Sequence, residues 1–166
     1  MKKISVFIII LTLLLGSVSA QKNPTIKDLM GNWNLYEMNI PGMVFYNSKT
    51  DSMWMNPKTL GIEEELDEDN GTNLMLLEVM KTNMKKEFEK MNFNIDQEGM
   101  MYENTAKIDS VVLMGKYDPT TGNLTMKDSK DETEEKLSIT LDNGILRMIK
   151  QDGGLTITMS CSRKKD

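Results

Sequence analysis

The sequence contains no histidine, and this absence excludes Ser-His-Asp and Cys-His nucleophilic chemistry, histidine zinc sites and histidine-ligated haem. There is one cysteine, Cys161, so no disulfide forms within the chain and stability has to come from packing. Cys161 lies in an alternating apolar run, where a buried structural thiol is expected. Positive charge is in deficit, with 20 Lys and Arg against 25 Asp and Glu. No basic cluster exceeds Arg163-Lys164-Lys165, which argues against nucleic acid or an anionic membrane surface as the main partner. Long apolar runs are equally scarce, since nothing resembling a membrane span follows the first fifteen residues.

Those first residues read as an export signal. Lys2 and Lys3 form a positive start, Ile4 to Leu15 is a predominantly apolar run, and Gly16-Ser17-Val18-Ser19-Ala20 supplies the small residues of a cleavage site. The apolar core is shorter than the about 20 residues a spanning helix needs. Cleavage after Ala20 is expected, a retained N-terminal anchor being the alternative. No cysteine near position 21 invites lipid attachment. Residues 1–20 are thus expected to be a signal peptide and residues 21–166 one secreted or periplasmic domain, with a net charge moved from −5 to −7 by the loss of Lys2 and Lys3.

The sequence is rich in methionine, with 16 residues. Thioethers bind copper(I), but Met75, Met80, Met84, Met91, Met126, Met148 and Met159 are scattered through apolar positions, as adaptable core filler would be. No metal site and no cofactor are expected.

Thr25-Ile26-Lys27-Asp28 has the form of a capping box opening a short helical turn that ends near Met30. Gly31 to Ile40 reads as the first strand, bounded by Pro41-Gly42. Val44-Phe45-Tyr46 and Met53-Trp54-Met55 are either short strands or a loop folded over something apolar. After an acidic run from Glu63 to Asp69, the residues Leu74, Leu77, Met80, Met84, Phe88 and Met91 recur at three- and four-residue spacing. One amphipathic helix over about residues 72–91 follows, with this row as its buried face. The acidic run also fits an EF-hand frame through Asp67, Asp69 and Glu78, but Thr72 stands where glycine is needed, so a solvated linker is expected.

From residue 91 onward, six hairpin-sized turns separate short β-like runs: 91–96, 100–106, 109–117, 123–128, 135–141, 145–151 and the run after Gly153. Asp118-Pro119-Thr120-Thr121-Gly122 carries turn chemistry with glycine in the left-handed position, and Asn143-Gly144 and Asp152-Gly153 favour primed turns. The chain is therefore expected to be mainly β: an eight-stranded antiparallel up-and-down β-barrel with one amphipathic helix after the first strand, which meets the last. A two-sheet sandwich is the rival.

Two-residue turns at Asn143-Gly144 and Asp152-Gly153 put Leu137, Ile139, Leu141, Leu146, Met148, Leu155, Ile157, Met159 and Cys161 on one face, the interior. In that register Met148 faces Ile157 and Leu146 faces Met159, while Arg147 points outward beside Thr140. The strand carboxylates Glu37, Glu103 and Asp109 are expected on outward faces, and no pair of groups is placed for catalysis, so the chain is expected not to be an enzyme.

Gly31-Asn32-Trp33 opens the first strand after a helical turn, and Arg163 ends the last. These three residues, Gly31, Trp33 and Arg163, resemble the signature of the lipocalin and calycin group. The resemblance implies a tryptophan that plugs the closed end of a barrel beneath a basic side chain, and architecturally it covers the mature chain. The helix position departs from typical lipocalins and is closer to fatty-acid-binding proteins. The C-terminal Arg-x-Tyr carboxylate site of that second family is missing, because Lys164-Lys165 follows Arg163. The chain looks most like short exported lipocalin-like domains of bacteria.

The expected function is binding of a small apolar or amphipathic ligand inside the barrel, lined by Ile139, Met148, Ile157 and Met159, with Met84, Phe88 and Trp54 over its open end. The chain is expected to be a monomer. The alternative is a filled barrel whose Met53-Trp54-Met55 segment, exposed, recognises a protein partner.

Overall fold

The computed structural model describes residues 22–61, 71–105, 110–127 and 134–164. The expected export signal, the acidic run, Asp67 and Asp69 of the calcium frame, and Asp109 lie outside the described residues.

Helix α1 (Ile26–Leu29) is the short turn read from the capping box: Thr25 Oγ1 accepts from Asp28 N, and Thr25 N donates to the Asp28 carboxylate at 2.8 Å. Ten strands follow. They are β1 (Gly31–Ile40), β2 (Val44–Asn47) and β3 (Ser52–Met55), then, after a 3-10 turn at Pro57–Leu60 and helix α2 (Gly71–Lys90), β4 (Asn92–Ile95), β5 (Met100–Thr105), β6 (Ser110–Asp118), β7 (Asn123–Lys127), β8 (Glu134–Asp142), β9 (Ile145–Asp152) and β10 (Leu155–Arg163). Each of β4 to β9 pairs antiparallel with the next, and β1 pairs with both β4 and β10. Eight strands therefore close into an antiparallel barrel, and the helix packs on it.

β2 and β3 form a hairpin over Val44–Met55, one of the two conformations the sequence allowed. A β-bulge at Tyr36 explains how it is accommodated. Before the bulge, Gly31–Asn34 of β1 pair with β4; after it, Glu37–Ile40 pair with β2 along the same edge. Leu35 N donates to Met91 O at 3.1 Å, and so ties the C-terminus of α2 to the point where the two partners diverge. The helix lies against β1 and β3, with Lys85 paired to Asp51 in the β2–β3 turn.

The hairpin register is as expected at Asn143-Gly144, whose φ angles of 50° and 76° pair Leu141 with Leu146 and Ile139 with Met148. The next turn is displaced by one residue. Gly153 and Gly154 take its two positive-φ positions, so Met148 faces Met159, not Ile157, and Leu146 faces Cys161, not Met159. Moving the turn by one residue moves each partner by two, which preserves the face. Leu137, Ile139, Leu146, Met148 and Cys161 are buried, Leu141, Ile157 and Met159 are half-buried, and Leu155 stays exposed at the rim. Arg147 is exposed opposite Thr140.

The helix requires a correction. Leu77 and Phe88 are buried and Met80 and Met84 half-buried, but Leu74 is half-exposed along with Leu76 and Val79, and Met75 is 71% exposed. Length explains this. Twenty residues of helix span about 30 Å, whereas four residues of β3 span only about 13 Å, so the first turns of α2 extend past the hairpin that covers the rest.

Candidate functional site

The two ends of the barrel differ. At the α1 end Trp33 is fully buried and pairs directly across β1 and β10 with Arg163, whose guanidinium carbon lies 4.6 Å from the ring centroid. The last three carbonyls of the α1 turn are shared between these two side chains. Arg163 Nη2 donates to Asp28 O at 2.7 Å, Trp33 Nε1 to Leu29 O at 2.7 Å, and Arg163 Nη1 to Met30 O at 2.6 Å. Gly31 has φ 118°, and a Cβ there would sit 3.1 Å from Arg163 Nη1, so the glycine serves both backbone and guanidinium. Tyr117 Oη, donating to Pro24 O at 2.8 Å, helps hold the N-terminal segment across this closed end.

Above that seal, cross-strand pairs stack into inner layers. Leu35, Cys161, Leu146 and Leu141 form one, and Met53, Tyr46, Met38, Met159, Met148 and Ile139 the next. Met148 is 0% exposed and Ile139 2%, so at their level side chains fill the interior. Burial pushes the Cys161 thiol up to about 12. The Tyr46 ring meets Phe88 of α2 at 5.2 Å, and its buried hydroxyl has no hydrogen-bond partner.

The opposite end is different. Ile157, Met159 and Met126 face inward and are only half-buried, and Val112, on the inner face of β6, is 48% exposed. Among the described residues, four charged ones also lie at inward-facing register positions near this mouth. Lys150 stands between Ile157 and Leu137 and pairs with Glu135 at 2.8 Å and Asp152 at 3.7 Å. The Glu135 carboxylate holds the Lys150 ammonium above its usual range. Glu103 is the fourth, directly opposite Phe93 on β4 and Val112 on β6. Its outward placement from sequence is thereby corrected, whereas Glu37 does face outward, accepting from Asn47 Nδ2 and Ser160 Oγ.

Among the residues expected to line a pocket, Ile139, Met148, Ile157 and Met159 share the inner face, and Met84 and Phe88 pack against the same core from the helix. Trp54 does not join them. It pairs with Phe45, which pairs with the exposed Asn39, and so lies on the outer face of the hairpin, 49% exposed. Sequence reasoning missed Tyr46, Glu103, Glu135, Lys150 and Asp152 as inward-facing positions. Alternation with Leu137 and Met148 would have flagged Glu135 and Lys150. No helix among the described residues is long and apolar enough to cross a membrane. No protein-family model matches the chain, and neither a curated protein nor a solved structure matches it.

Proposed function

We propose that the chain is an exported, lipocalin-like binding protein that holds a small amphipathic ligand in the open half of its barrel and performs no catalysis. One observation carries this reading: inward-facing apolar side chains stay accessible at the mouth, at Ile157, Met159, Met126 and Val112, while the Trp33 end is sealed. An apolar surface facing into a concavity gains free energy when a ligand covers it, about 25 cal/mol per Å². The lipocalin-like assignment is supported by the Gly31, Trp33 and Arg163 contacts at the closed end. The bound region lies above Met148 and Ile139, whose side chains are buried.

Titration with the neutral dye N-phenyl-1-naphthylamine tests the reading. Ile157→Asp, at the mouth, is expected to weaken binding at least about tenfold, equivalent to about 1.4 kcal/mol. The outward Arg147→Glu is expected to leave it unchanged. Absence of any dye response in the wild type would refute the proposal.

The exposed, outward Trp54 favours a second reading, in which the outer face of the β2–β3 hairpin contacts a protein partner. Trp54→Ser would then abolish partner binding and leave dye binding intact.

A further inference from the structure

We infer that the ligand carries a positive charge, received by Glu103. This rests on the binding reading above and names the chemical class of its ligand: an alkylammonium or similar organic amine with an apolar tail.

Five charged residues occupy inward-facing positions of the described strands. Arg163 is engaged by the α1 carbonyls at the closed end. Lys150, Glu135 and Asp152 engage one another on the β8–β10 wall. Among these five, Glu103 alone, half-buried on β5, makes no side-chain hydrogen bond and no ion pair with the described residues. Its inner-face surroundings are apolar: Phe93 and Val112 directly across the two neighbouring strands, and Met101 two residues before it on β5. An inward-facing carboxylate set among apolar side chains without a partner contributes little to the fold, and a hydrophobic or amide side chain would serve packing better.

An ammonium group brought in by a ligand supplies the missing partner. Its tail then lies against the accessible apolar residues of the mouth, where Met126 and Met159 adapt to tails of differing shape. The sign of the wall charge agrees. Among the described residues, Glu103, Glu135 and Asp152 against Lys150 leave the inward-facing groups near the mouth with a surplus of negative charge, and Lys150 is already paired. An anionic headgroup finds no free cation among these residues, whereas a cationic one finds a free carboxylate.

Displacement of N-phenyl-1-naphthylamine from the full mature chain by decylammonium, decanol and decanoate tests this at constant tail length. Decylammonium is expected to bind about tenfold tighter than decanol, the order of one charge-assisted hydrogen bond, and decanoate weakest. Glu103→Gln is expected to bring decylammonium to the level of decanol while decanol itself is unchanged. Glu98→Gln, an exposed acid at the closed end, is expected to change none of the three. The urea midpoint of Glu103→Gln should equal or exceed that of the wild type. A retained ammonium preference in Glu103→Gln, or a lowered midpoint showing that the carboxylate is structural, would overturn the inference while leaving ligand binding intact. Failure of all three compounds, with no dye binding either, would remove the binding reading itself.

Discussion

Trp33→Ala tests the closed end most directly. The side chain is fully buried, so truncation removes a large aromatic from a site where β1, β4, β10 and α1 meet, and buried Trp→Ala changes cost about 3–5 kcal/mol. Two further losses add to the cavity. The Leu29 carbonyl loses its 2.7 Å donor, and the Arg163 guanidinium loses the ring beneath it. Trp33→Phe separates these contributions, since it keeps most of the apolar volume and deletes the N–H; an unsatisfied buried carbonyl costs about 1–3 kcal/mol. Arg163→Ala removes two bonds to carbonyls from an exposed side chain and should cost less than Trp33→Ala, about 1–2 kcal/mol. The double variant should show a coupling of about 0.5–1 kcal/mol, the size of a cation–π contact at a solvent-facing site. Urea unfolding followed by far-UV circular dichroism measures all four proteins without relying on the tryptophan that has been removed. A Trp33→Ala protein within 1 kcal/mol of wild type, or a coupling of zero, would refute the assignment of Trp33 and Arg163 as the barrel seal.

Cys161 is expected to be inert to thiol reagents in the native state at pH 8, because burial pushes its thiol up to about 12, and to react at once in urea; rapid native labelling would contradict its place in the core. Stability should fall in acid. The Thr25 hydroxyl and amide hold Asp28 below the usual 3.8, and the Thr120 amide and Thr121 hydroxyl do the same for Asp118. At Asp96 desolvation opposes the shift, but the Met100 and Glu98 amides outweigh it. Depressed carboxylates contribute stability that is complete above their unfolded value and lost as the pH falls through their folded values, so urea midpoints should be flat near neutrality and decline below about pH 4. Export with cleavage after Ala20 predicts a mature chain beginning at Gln21 by mass spectrometry of secreted or periplasmic material; a chain still carrying Met1 would defeat it.

The parts of the fold that could be read from sequence are those where turn chemistry and alternation agree. Asn143-Gly144 allows one tight turn, and the apolar residues on both sides then select the inner face without further information. Asp152-Gly153-Gly154 offers two placements of a two-residue turn, and local propensity does not separate them. The inner face survived this ambiguity only because the alternatives differ by an even number of residues. The Tyr36 bulge had no comparable signal. It depends on β1 changing partner from β4 to β2, a long-range event that leaves Leu35-Tyr36-Glu37 looking like ordinary alternation.

The candidate site was harder to read for the same physical reason. Helical periodicity identifies Leu74 as part of an apolar face, but whether that face is covered depends on the length of a four-residue strand elsewhere in the chain. For Glu103, its charge suggests a solvated face, while its pairing with Phe93 makes it inward. Composition therefore misleads where register carries a charged side chain to the inner face. Lys150 and Glu103 occupy equivalent inner-face positions on different walls of the barrel, yet only Lys150 is neutralised by its neighbours. If inward charge at this mouth were merely tolerated because solvent reaches it, Glu103→Gln and Lys150→Gln should be equally harmless to stability. If the pairing is structural and Glu103 is reserved for a ligand, Lys150→Gln should lower the urea midpoint and Glu103→Gln should not.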